Sequence, residues 1–114
     1  MINSIVAFFK IWWKELVKLG KIIFKALLSF KINILSFFKS PERYKKIKEN
    51  RTYLPFILRE KMKNGDYNVI EGVFDEKTDD VVDIQKEAQG FECERLDPEL
   101  TDYFGNKDLV ILRN

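Results

Sequence analysis

Apolar and cationic positions recur with a helical period along the first forty residues. Lys10, Lys14, Lys18, Lys21 and Lys25 follow one another at steps of four, four, three and four. At roughly 100° per residue they gather within an arc of about 80°. The opposite side carries Ile5, Phe9, Trp12, Leu16, Leu19, Ile23, Leu27, Phe30, Ile34 and Phe37. No proline interrupts the run, and Gly20 weakens a helix by only about 1 kcal/mol relative to Ala. Lys31 and Glu15 lie off the cationic stripe. The pattern predicts one basic amphipathic helix over residues 1–40, about 57 Å long at 1.5 Å per residue.

Ser40-Pro41 then reads as a fresh helix start, with Ser40 as N-cap and Pro41 at the first helical position. Residues 41–52 form a polybasic hinge or helix carrying Arg43, Lys45, Lys46, Lys48 and Arg51. Leu54, Ile57, Leu58 and Met62 recur at helical spacing, which predicts a short helix over Tyr53–Lys63, closed by Asn64-Gly65. Tyr67–Phe74 alternates as a strand, with Val69, Glu71 and Val73 on one face. A polar turn leads to a second arm at Asp80–Gln85, making a hairpin. Phe91, Cys93 and Leu96 lie in a candidate third strand. Asp97-Pro98 starts another short helix that Gly105 ends, and Leu109–Leu112 is an apolar run suited to a buried last strand. The fold class expected is α+β: the long N-terminal helix, the hinge, and a small module over residues 53–114.

Charge sharpens the division. Residues 1–40 hold seven Lys against one Glu, residues 41–63 hold eight basic against three acidic side chains, and residues 64–114 hold five against fourteen. The whole-chain balance of +2 is the near-cancellation of a basic front and an acidic rear. Such a split points to a charged surface or partner. The chain has no His, which removes the commonest general base and every His-containing zinc site. A single cysteine, Cys93, forbids an intrachain disulfide and reads as a small core residue. The acidic cluster Asp75, Glu76, Asp79, Asp80 and Asp83 lacks the glycine and terminal glutamate of an EF-hand loop and reads as a solvated turn. No catalytic, cofactor or metal motif is recognisable, so the chain reads as non-enzymatic.

The function expected from the sequence is peripheral membrane attachment on the cytoplasmic side. Twenty-five of residues 1–40 are apolar, but the lysines make a lone span costly, at roughly 2.5–3.5 kcal/mol each at the bilayer centre. Lying flat lets Lys10, Lys14, Lys18, Lys21 and Lys25 reach headgroups while Phe9, Trp12 and Trp13 enter the interface. Arg43, Lys45, Lys46 and Lys48 would add affinity for anionic lipid. The acidic module would project outward and bind an unidentified protein. Two alternatives follow from the same residues: packing of the helix in an oligomer or larger complex, or a single span over Ile22–Phe38. Nucleic acid is disfavoured because the acidic remainder repels phosphate, although Tyr44 and Tyr53 stand beside the basic run.

Overall fold

The computed structural model describes residues 2–112, with the side chains of residues 2–4 left undescribed. Its front end is not one helix. Residues Ile2–Ala7 form α1 and Phe9–Lys18 form α2. Gly20 then takes the left-handed conformation, φ +68°, and turns the chain. The β-branched and aromatic run that follows enters strand β1, Ile22–Leu28. A π-helical segment Phe30–Leu35 and a short α3, Ser36–Phe38, complete the first forty residues. Helical spacing is honoured up to Leu16, and Ile5, Phe9, Trp12 and Leu16 are all buried. Beyond Gly20 the phase resets: Ile23 and Leu27 are exposed, whereas Leu28, Phe30, Ile34 and Phe38 are buried.

Pro41–Glu49 forms α4, as its Ser-Pro start predicts. The next element departs from expectation. Tyr53–Lys61 is strand β2, not a helix. Its five consecutive buried residues, Leu54–Leu58, supply both faces of a sheet, and a central strand needs such a run. The carbonyl of Pro55 accepts a bond from the Leu112 N–H at 2.8 Å. Pro55 lies opposite Leu112, one residue past the last pair with the following edge strand; its missing N–H faces that strand and ends the ladder there, leaving the pairing with the other neighbour intact. Asn64-Gly65 makes the turn into β3, Tyr67–Asp75, and Gly65 has φ +94°.

The predicted hairpin is shorter than expected. Only Asp80–Val81, β4, pairs with the end of β3, and Ile84–Glu87 winds into α5. The main partners of β3 are β2 and β5, Gln89–Leu96, which contains the third strand expected around Phe91 and Cys93. Pro98–Phe104 forms α6, capped by Asp97, whose carboxylate accepts the Leu100 N–H at 2.8 Å. Leu109–Ile111 is β6.

The sheet runs β1-β5-β3-β2-β6, with β4 beside β3. The β1–β5 pair is parallel and the other pairs are antiparallel. The fold is therefore α+β, dominated by one six-stranded sheet. Each face carries its own core. One joins Ile5, Phe9, Trp12 and Leu16 to Leu54, Phe56, Leu58, Ile70 and Phe74. The other joins Leu28, Phe30, Ile34 and Phe38 to Ile57, Val69, Val73, Phe91, Leu100 and Phe104. Residues from the first forty positions thus sit in both cores. The closest approach is at Gly90, where an added Cβ would lie 2.6 Å from the Ile22 methyl and 3.0 Å from the Trp13 ring. No helix among the described residues is long and apolar enough to cross a membrane, and residues 22–38 are divided between a strand and helical turns.

Candidate functional site

The residues expected to touch lipid separate into two populations. On α2, Phe9, Trp12 and Leu16 face the sheet, and the Trp12 ring lies 5.6 Å from Phe56 and 6.2 Å from Phe74. Trp13 is half-buried and stacks on Phe9 at 5.9 Å. Phe9 and Trp12 therefore fill this chain's own core. Lys10, Lys14 and Lys18 point away from it and are exposed, with Ile11 and Val17 beside them. Lys21 bonds the Gln85 carbonyl at 2.7 Å, and Lys25 is half-buried on the end strand β1. That strand also exposes Ile23, Leu27 and Phe24, the last at 65%.

The polybasic run of α4 is likewise divided. Arg43 turns inward. Its Nη1 bonds the Phe37 carbonyl at 2.6 Å, its Nη2 bonds the Lys86 carbonyl at 3.0 Å, and Nη2 lies 3.2 Å from a Glu87 carboxylate oxygen. The guanidinium also covers the Phe37 ring at 3.7 Å. Lys46 reaches the same Glu87 at 3.4 Å, while Lys45 pairs with Glu49 at 3.9 Å on the surface. Lys48 sits over Tyr44 at 5.4 Å.

Behind Arg43 lies Glu71, on the inner face of β3 and fully buried. Gln89 donates to one of its oxygens at 2.5 Å, and the other oxygen has no partner among the described residues. Burial drives its pKa well above the ordinary carboxylate range, against the smaller opposing effects of the Gln89 hydrogen bond and the Arg43 charge. The native state therefore holds this proton where the unfolded chain has released it. Stability falls as pH rises from the unfolded pKa toward the native one. Glu71→Gln keeps an acceptor for Gln89 and removes the titration. The variant should be more stable than the parent near neutral pH, with the gap closing in acid, as denaturant unfolding at several pH values would show. The sequence placed Glu71 between Val69 and Val73 on one strand face, and that pattern was the available signal. Cys93 is also buried; burial, then the Asp66 charge, pushes its thiol up to about 12, so the unreactive thiol form persists at neutral pH.

A cleft of about 640 Å³ opens between α3, α4, the start of β2 and α6. Leu35, Phe38, Ile47, Leu54, Pro55 and Leu112 give it apolar walls. Tyr44, Tyr53 and Tyr103 add aromatic surface, and Lys39, Lys48 and Arg51 supply its charge. Tyr103 is held by stacking on Phe30 at 4.3 Å. Tyr44, Tyr53 and the basic run were conspicuous in the sequence. Tyr103 was not, because only tertiary folding brings α6 across to α4.

The chain matches no protein-family model, and the searches of curated proteins and of solved structures returned no match.

Proposed function

We propose that this chain is a non-enzymatic protein that docks peripherally on anionic membrane surfaces through the exposed side of α1 and α2 and the adjoining end strand β1. One observation carries the reading. Among the described residues, six of the ten exposed large apolar side chains, Val6, Ile11, Val17, Ile23, Phe24 and Leu27, lie on α1, α2 and the end strand β1. The same elements, with the turn between α2 and β1, bear Lys10, Lys14, Lys18, Lys21 and Lys25. Exposed apolar side chains interleaved with one sign of charge mark an interaction surface, and lysines complement an anionic leaflet.

The mode differs from a helix laid in the bilayer. The folded domain keeps Phe9 and Trp12 for its core, and shallow contact falls to side chains such as Ile11, Val17 and Phe24. Each lysine near the surface contributes about 1 kcal/mol, a contribution that salt weakens. The acidic residues of the β3–β4 turn, Asp75, Glu76, Asp79 and Asp80, would be repelled by such a surface and are the side we assign to a protein partner.

Flotation of the full chain with vesicles tests this. Binding should require phosphatidylserine and weaken in high salt. The triple variant Lys10→Glu, Lys14→Glu, Lys18→Glu should retain its fold and lose about tenfold or more in affinity. Equal binding to neutral and anionic vesicles, or an unaffected triple variant, would exclude this function. A second reading, self-association, draws on β1 as an end strand with exposed Phe24. Defined oligomers in lipid-free sedimentation would favour it.

A further inference from the structure

The cleft has a chemistry of its own and shares no lining residue with α1, α2 or β1. Its volume of about 640 Å³ lies within the range of small-molecule sites. Among the described residues, three lining side chains are cationic and none is anionic. Glu49, on the adjoining shallow depression, is paired with Lys45. Lys39 and Lys48 line both the cleft and that depression, so positive charge continues across the rim. Lys39, Lys48 and Arg51 are exposed, so an anion meeting them stays near solvent and they need little desolvation. Below them the walls turn apolar.

We infer that the cleft holds one single-chain amphiphile, its carboxylate or phosphate head at Lys39, Lys48 and Arg51 and its hydrocarbon chain against Phe38, Ile47 and Leu54. The division of charge from hydrocarbon across one cleft carries this assignment. A nucleotide fits less well. Among the described residues, no glycine lines the cleft to cradle a phosphate, and no carboxylate lines it to receive ribose hydroxyls. The Asn50 amide, the one side-chain amide in the lining, already donates to the Lys46 carbonyl at 2.7 Å.

Calorimetric titration of the full chain with dodecanoate, dodecyl phosphate and dodecyltrimethylammonium, each below its micelle concentration, tests the assignment. One molecule of a dodecyl anion should bind per chain, and the cation at least about tenfold more weakly. The relative affinity of the two anions identifies the head group. The double variant Lys48→Glu, Arg51→Glu should weaken anion binding by about tenfold or more while leaving the unfolding midpoint near that of the parent. Ile47→Trp should block the chain site without altering rim charge and weaken both anions. The α2 variant with Glu at positions 10, 14 and 18 should bind dodecanoate normally, which separates this site from membrane docking. Equal affinity for the cationic amphiphile, several molecules bound per chain, or full affinity in the rim variant would overturn the assignment.

Discussion

Replacing Trp12 with alanine should cost about 3–5 kcal/mol of stability. The side chain is 4% exposed and sits between α2 and the sheet, within reach of Phe56 and Phe74. Truncation leaves a large void between two elements that cannot easily collapse, because β2 and β3 are held by a nine-pair antiparallel ladder. Domains of this size are commonly stable by about 5–15 kcal/mol, so the variant should unfold at much lower denaturant or lose its cooperative transition. Lys14→Gln, on the opposite side of the same helix, should change stability by no more than about 0.5 kcal/mol. The contrast distinguishes a core tryptophan from a surface anchor. A Trp12→Ala protein with parental stability would mean that the ring does not pack on the sheet.

Arg43→Met should cost about 3 kcal/mol. Arg43 is largely enclosed, its side chain 14% exposed against 9% for that of Glu87. Methionine preserves much of the hydrocarbon packing but withdraws the bonds to the Phe37 and Lys86 carbonyls as well as the charge facing Glu87. Lys46 remains 3.4 Å from Glu87 and limits the loss. Glu87→Leu added to Arg43→Met should recover part of the stability, because the stranded carboxylate is then gone. Denaturant unfolding of the two variants measures both effects. If the single variant loses less than about 1 kcal/mol, the Arg43 network does not pin α4 to α5.

The legible parts of the sequence were those with local causes. Proline after a Ser or Asp at the N-cap position marked α4 and α6, and the apolar run after the Asn64-Gly65 turn marked β3. The apolar stripe Ile5-Phe9-Trp12-Leu16 correctly identified the face of α1 and α2 that is buried. The sequence could not say what buries it, because the cover lies more than forty residues away on β2 and β3. Beyond Gly20 a strand of aliphatic and aromatic residues imitated helical spacing, since Lys21 and Lys25 continue the three- and four-residue lysine steps of α2. β2 misled in the opposite way. A central strand buried on both faces shows no alternation, and Leu54, Ile57 and Leu58 matched a helical pattern equally well. Of the site residues, Arg43 was visible as charge but not as an inward-facing clamp. The cleft depends on α6 meeting α4, which no local pattern records.

The most direct measurement is the folding of residues 41–114 alone, compared with the full chain by two-dimensional amide NMR and denaturant unfolding. This fragment lacks β1, Trp12 and Leu16 from one side of the sheet and Phe30, Ile34 and Phe38 from the other. With the first forty residues built into both cores, the fragment should give collapsed amide dispersion and no cooperative transition. A dispersed spectrum superposable on β2, β3 and β5 of the full chain, with a cooperative unfolding transition, would contradict it.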